Sequence, residues 1–217
     1  NEQTHMVTTV NPARFEAETI AIDARSNLNI TATEMKAANI SLTGANVSLN
    51  SMLAEERANT NSYVWKNLWE HSRTSENNSQ KQVFSRLEAK QDLTLQSSNG
   101  ELLIQGGNLQ AGHNLSLISN KNIKLNGLIE HDRNREKGAR VNEGAELQTG
   151  NWDKSNETER LEQAQLVAGG QITLKASENL EGHALRLEAK GDVNLTAGNS
   201  IKLGTQAVAH SALSTDC

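Results

Sequence analysis

The chain has 217 residues and a net charge of −5, with 21 Lys and Arg against 26 Asp and Glu. This balance gives no basic surface for nucleic acid, so we expect no nucleic-acid partner. Aromatic residues make up only 3% of the chain, whereas a compact core usually depends on large rings for its buried area. No stretch approaches the ~20 consecutive apolar residues of a transmembrane helix, so no membrane span is predicted.

Cysteine usage excludes two classes of structure. The single cysteine, Cys217, is the last residue, so an internal disulfide and a metal–thiolate cluster are both excluded. The chain begins at Asn1 and has no signal-peptide pattern, which we interpret as a fragment excised from a longer protein.

Residues 1–50 contain short apolar pairs whose members lie two positions apart: Leu28/Ile30, Ile40/Leu42 and Val47/Leu49. This spacing places both side chains on one face of a strand. Gly, Asn, Asp or Ser ends each run after a few residues, which is typical of short strands joined by tight turns. The i, i+3, i+4 spacing of an amphipathic helix is missing from these blocks.

Residues 51–82 interrupt the pattern and hold Tyr63, Trp65 and Trp69. The alternation of Tyr63, Trp65, Asn67 and Trp69 predicts a protruding, extended hairpin. The spacing of Trp65, Leu68 and Trp69 also suits a short helix, and the sequence leaves both open.

The apolar pairs return in residues 83–126. A second protruding insertion, with Trp152 and many charged residues, occupies residues 127–163. The pairs then return in residues 164–204. Residues 205–217 are a tail or the start of a further insertion. Residues 83–126 align with residues 164–204. Leu93 and Leu95 match Ile172 and Leu174 at a shift of 79 residues, and Leu115 and Leu117 match Val193 and Leu195 at a shift of 78.

Together these features predict an all-β chain folded as a parallel β-helix. The separation of Leu95 from Leu117 is close to one coil, and stacked coils bury a narrow aliphatic column. Insertions at one recurrent turn should emerge from one side of the solenoid. We expect turn residues to bond backbone amides or to stack in ladders: Asn27, Asn46, Asp92, Asn114, Asn122, Asp192 and Asn199.

The phrases GDVNLTAGNSIKL, AGHNLSLISNKNIKL and VAGGQITLKA resemble the haemagglutinin repeats of filamentous haemagglutinin and related large exoproteins. These relatives include contact-dependent growth inhibition effectors, exported by two-partner secretion. The resemblance implies a right-handed parallel β-helix in a fibre at the cell surface of a Gram-negative bacterium. It also implies an outer-membrane secretion partner and a role in adhesion or in delivery of a C-terminal toxin.

Two other classes share this architecture: carbohydrate-active β-helix lyases or hydrolases, and phage tail-spikes or autotransporter passengers. Enzymes of the first class need clustered carboxylates, whereas the charges in these blocks are scattered singly. We therefore predict no catalytic residue, no metal site and no cofactor.

The aromatic residues of the insertions are the candidate contact residues. Tyr63, Trp65, Trp69 and Trp152 could bind a target-cell surface protein or glycan through their flat apolar faces. The alternative, which we favour over partner contact, is that they pack each insertion against itself or against the solenoid.

Overall fold

The structure, a computed structural model, describes residues 2–66, 69–143 and 147–216. Within these ranges the backbone forms 24 strands and no helix. The prediction of an all-β chain is therefore confirmed. Strand β1 (Glu2–Thr8) precedes six coils of three short strands each, and two long hairpins and a final strand complete the chain.

The coils follow one another in pairs. Coils 1 and 2 contain β2 (Ala13–Glu16), β3 (Thr19–Asp23), β4 (Asn27–Thr31), β5 (Thr33–Ala37), β6 (Asn39–Gly44) and β7 (Asn46–Asn50). The first hairpin follows, with β8 (Met52–Lys66) and β9 (Trp69–Val83). Coils 3 and 4 contain β10 (Arg86–Ala89), β11 (Leu93–Ser97), β12 (Leu102–Gln105), β13 (Asn108–Ala111), β14 (Leu115–Ser119) and β15 (Ile123–Asn126).

The same order is then repeated. The second hairpin has β16 (Leu128–Glu143) and β17 (Leu147–Glu162). Coils 5 and 6 contain β18 (Ala164–Ala168), β19 (Ile172–Ala176), β20 (Asn179–His183), β21 (Leu185–Ala189), β22 (Val193–Ala197) and β23 (Ser200–Gly204), and β24 (His210–Asp216) follows. The described residues on both sides of 67–68 are strands, so the extended hairpin is the correct interpretation of the first insertion.

Each coil contributes one strand to each of three six-stranded parallel sheets. Their strand orders are β2-β5-β10-β13-β18-β21, β3-β6-β11-β14-β19-β22 and β4-β7-β12-β15-β20-β23. Leu95 pairs with Leu42 on one side and with Leu117 on the other. The predicted coil length is therefore confirmed, and the chain is a parallel β-helix.

Aliphatic columns fill the interior between the three sheets. Leu93, Leu95, Leu115 and Leu117 are fully buried, as are Ile172 and Leu174. Small residues such as Ala89 and Ala111 occupy the inward positions where strands end. A corner leaves little interior room, which explains their size.

Coil 6 is the last described coil, and its outer side is open in this structure. Val193 is 43% exposed and Leu203 is 56% exposed. The alignment of Leu195 with Leu117 predicts that both are buried, and for Leu195 this prediction is wrong because its side chain is only partly covered. Each coil is shielded mainly by its neighbours, so a terminal coil remains open on one side.

Asn and Asp side chains connect successive coils at the corners. Asp92 Oδ1 accepts a hydrogen bond from the backbone N–H of Asn114 at 3.0 Å. Asn114 Oδ1 in turn accepts one from the backbone N–H of Gln171 at 3.1 Å. At another corner, Asn46 Nδ2 donates to Asn27 Oδ1 at 2.8 Å. The predicted side-chain bonds are found for Asn27, Asn46, Asp92, Asn114 and Asn122, and several of them satisfy backbone groups that the strand pairing leaves unpaired. Asp192 and Asn199 show no such side-chain bond to another described residue.

The two hairpins and the terminal strands form a fourth sheet, here called the wing. It is antiparallel, with strand order β1-β8-β9-β16-β17-β24. Both hairpins begin at the same corner, because β8 follows β7 and β16 follows β15. Neighbouring strands lie ~4.8 Å apart in any sheet. The two strands of one hairpin therefore occupy the same distance along the solenoid axis as two coils. One hairpin for every two coils therefore gives an uninterrupted sheet.

The first prediction compares two matched leucines of this column. Leu117→Ala should lower the free energy of unfolding by about 2–5 kcal/mol, the usual cost of truncating a fully buried Leu. Leu195→Ala should cost clearly less, because solvent already reaches its side chain. Urea unfolding followed by circular dichroism measures both values. Equal losses would contradict the view that each coil is shielded mainly by its neighbours.

Candidate contact surface

The wing is the surface on which the predicted contact residues lie. In an antiparallel sheet, directly paired residues project to the same face. Tyr63 pairs with Ser72 on β9, and Ser72 pairs with Ala139 on β16. Trp152 pairs with Gly138, and Gly138 pairs with Arg73. Because Ser72 and Arg73 are consecutive, Tyr63 and Trp152 lie on opposite faces.

These two faces are called the tyrosine face and the tryptophan face. Both expose polar side chains along the hairpins. The side chains of Trp65 and Trp69 lie outside the described residues, although their backbones are part of β8 and β9. The structure thus does not bring Tyr63 and Trp152 into a single site.

Tyr63 is exposed on its face of the wing. Tyr63 is 59% exposed, and Glu70 lies on the neighbouring strand β9. The Glu70 carboxylate, as a hydrogen-bond acceptor for the phenol, together with partial desolvation, raises the pKa of Tyr63 above its ordinary value. The Tyr63 ring is therefore accessible to a partner from solvent.

Trp152 is half-buried and is held by three strands. Its Nε1 donates to Glu136 Oε1 at 3.4 Å, and Glu136 Oε2 accepts from Arg73 Nη2 at 2.7 Å. The His71 ring lies 5.3 Å from the indole, centroid to centroid, with 53° between the planes. These contacts show that Trp152 packs within the wing, while its contact with a partner remains a prediction.

The indole lies against Gly138. A Cβ at position 138 would lie 2.2 Å from Cζ2 of Trp152 and 2.5 Å from the Ser72 carbonyl oxygen. No real Cβ approaches that closely, so glycine is required at this place. An aromatic ring over a strand glycine also covers backbone that would otherwise face water.

A buried carboxylate joins the hairpins at their base, which the sequence analysis did not anticipate. Glu130 is 5% exposed and accepts the Gln82 backbone amide at 2.8 Å. Its other oxygen accepts from the Arg160 guanidinium, with Nε at 3.1 Å. Glu130 on β16 thus connects β9 of the first hairpin to β17 of the second. Its partners are distant in sequence, so no local pattern could reveal them.

The adjacent residues do not form a joint site with Glu130. Asp132 lies on the same face and accepts a hydrogen bond from Ser79, its register partner. His131 lies on the other face, near Glu157 and Glu159. Consecutive strand residues therefore point apart, as the alternation of strand side chains requires.

The tyrosine face also carries a two-point ion pair. Arg135 donates to both oxygens of Asp153, at 3.1 and 2.6 Å. This bonding lowers the pKa of Asp153 and raises that of Arg135. Both side chains are more than a third exposed, so solvent screening leaves the pair a small stabilising contribution.

The described residues include neither a metal-binding cluster nor a membrane-spanning helix. They hold no group of three or more His, Cys, Asp or Glu side chains placed to bind a metal ion. Within the same ranges, no helix has the length and apolar character needed to cross a membrane.

Comparisons with known proteins agree with the repeat pattern. Residues 69–155 match the family model described as "Hemagglutinin repeat". The chain is 27% identical to a protein named "Hemolysin" from Proteus mirabilis over 198 residues, which is 91% of this chain. It is also 27% identical to a "Hemolysin" from Serratia marcescens over 93% of the chain.

The chain spans 13% of the length of each of these relatives. No solved structure matches it. The resemblance of the chain to haemagglutinin repeats is confirmed by the family-model match, which covers β9, coils 3 and 4, and part of the second hairpin. Of the three repeat phrases, AGHNLSLISNKNIKL lies within the matched region.

A second prediction concerns Tyr63, the only tyrosine of the chain. Its ionisation, followed by ultraviolet absorbance, should have a midpoint above the ordinary tyrosine pKa. Glu70→Gln removes the negative acceptor, so the midpoint should move down. Glu76→Gln, further along the same strand, serves as the control and should leave it unchanged. An unshifted midpoint in Glu70→Gln would rule out this hydrogen bond as the cause.

A third prediction concerns the base of the wing. Glu130→Gln should weaken the junction between the hairpins by about 1–3 kcal/mol, because a buried charged acceptor and its hydrogen bonds are disturbed. Hydrogen exchange of the β9 and β16 amides should therefore accelerate, while the amides of the coils stay protected. Glu157→Gln, on an exposed part of β17, is the matched control. Unchanged exchange in Glu130→Gln would show that the carboxylate does not hold the hairpins together.

Proposed function

We propose that this chain is a rod segment of a large, secreted exoprotein of a Gram-negative bacterium, in which the wing carries contact with a target cell. The coils act as a rigid spacer with no enzymatic role. Export would use an outer-membrane secretion partner, and the finished fibre would act at the cell surface. The support comes from the haemagglutinin repeats, the similarity to hemolysins and the internal variation described next.

The observation that carries this proposal is the difference between coils and wing within the repeat. Corresponding interior positions keep their character: Leu93 and Leu95 in coil 3 match Ile172 and Leu174 in coil 5, and all four are fully buried. On the return strands of the hairpins, Arg73 corresponds to Trp152 at the same shift of 79 residues. The buried columns constrain the coils, whereas solvent-facing wing positions are free to differ.

The wing also has the composition of a contact surface. Interfaces favour Tyr, Trp and Arg surrounded by polar side chains, and the wing combines Tyr63 and Trp152 with arginines such as Arg57, Arg133 and Arg140. The outward positions of the coils offer small and polar residues such as Ser116, Asn194 and Thr196. Recurrence of hairpins along one side would let weak contacts add through avidity.

Adhesion and toxin delivery both fit this proposal. Either role needs a rod long enough to span the gap between cells and a surface that binds the target. The target would be a protein or a glycan of the recipient cell.

The fourth prediction tests the proposal in the full-length exoprotein. Replacing Tyr63, Trp65, Trp69 and Trp152 by Ala should reduce attachment to target cells, while export and surface display persist. Display is measured by antibody labelling of intact cells and attachment by counting bound target cells. Asn194→Ala with Thr196→Ala, on the outside of coil 6, is the control and should leave attachment unchanged.

Two outcomes would contradict the proposal. Unchanged attachment of the aromatic variant at equal display would remove the contact role of the wing and leave a plain spacer. An equal loss in the control variant would place the contact on the coils instead.

A further inference from the structure

A shallow groove crosses the tryptophan face of the wing. It is lined by His71 from β9, Glu136 and Arg140 from β16, and Gly150, Trp152 and Lys154 from β17. One hairpin therefore supplies His71 and the other supplies the remaining residues. The groove exists only where the two hairpins pair, so it is a property of the assembled sheet.

The indole in this groove is held in place before any ligand arrives. Arg73 fixes the Glu136 carboxylate, and Glu136 accepts the Trp152 N–H. Gly138 lies behind the ring, and His71 lies beside it. A ligand that stacks on the outer face of the ring would meet a preformed platform, which reduces the entropy lost on binding.

Two cations flank the indole without a described anionic partner. Neither Arg140 nor Lys154 forms an ion pair with any described side chain, and both are exposed. Glu136, the register partner of Lys154, is already bonded to Arg73 and Trp152. Gly150, the register partner of Arg140, has no side chain to fill the space beside the guanidinium.

We propose that this groove binds a carboxylated sugar unit of a glycan, which deepens the contact function proposed above and rests on it. The C–H face of the sugar ring would stack on the indole of Trp152. The carboxylate would pair with one of the two cations that stand on either side of the indole, Arg140 or Lys154, since guanidinium and ammonium groups form strong charge-assisted hydrogen bonds with carboxylates. The net charge of −5 disfavours diffuse attraction of polyanions, so recognition depends on this local pair of cations.

The test uses two probes that differ in one functional group. Isothermal titration calorimetry measures binding of a four-residue oligogalacturonide and of its carboxyl-reduced, neutral counterpart to this chain. The acidic probe should bind at least tenfold more tightly than the neutral one. The double variant Arg140→Gln, Lys154→Gln should lose that difference.

Aromatic variants separate stacking from charge. Trp152→Ala should weaken binding of both probes, whereas Trp152→Phe should retain part of it. Asn194→Ala with Thr196→Ala, on the outside of coil 6 and away from the wing, should bind like the unaltered chain. Circular dichroism and hydrogen exchange of the wing amides check that each variant keeps its fold.

Three results would overturn this ligand. The first is equal affinity of the chain for the acidic and the neutral probe. The second is binding of the acidic probe that the double variant of Arg140 and Lys154 leaves unchanged. The third is binding of a pentaglutamate peptide as tightly as the acidic probe. The proposed function fails separately, because it is judged by attachment of cells. If the oligogalacturonide does not bind while the aromatic variants still reduce attachment, the wing remains a contact surface and only the sugar assignment is wrong.

Discussion

The spacing of about 4.8 Å between hydrogen-bonded strands is the constraint on which this structure depends. It sets the rise of each coil, and it sets the separation of strands in the wing. A hairpin adds two strands, so it fits without gaps only if two coils separate it from the next hairpin. The chain obeys this rule, since hairpins follow coils 2 and 4.

The wing takes its order from the solenoid rather than from a core of its own. Its strands are polar on both faces, and strands of that kind specify their register weakly. The coils hold the base of each hairpin at a fixed height, and Glu130 joins the two bases through Gln82 and Arg160. The rigid columns of Leu and Ile thus stabilise a sheet that buries little apolar surface.

This division of roles lets the wing vary while the fold stays the same. A substitution in the columns removes buried area and costs several kcal/mol, whereas most substitutions at exposed positions cost little. Trp152 stands where the preceding repeat has Arg73. Its indole lies against Gly138, its register partner, so even a position that differs between the repeats requires a matched neighbour across the sheet.

Local patterns in the sequence determined the coils, their length and the Asn ladders at their corners, because each depends on residues that are close in sequence or repeat with a fixed period. Tertiary structure decided the rest. Three features depend on pairing between strands whose partners are far apart in the sequence: the joining of separate insertions into one sheet, the opposite faces of Tyr63 and Trp152, and the burial of Glu130. The partial exposure of Leu195 was equally invisible, because its pattern matches that of Leu117 and only the neighbouring coil differs. Alternation along a strand specifies which residues share a face, but the partner strand decides what that face contacts.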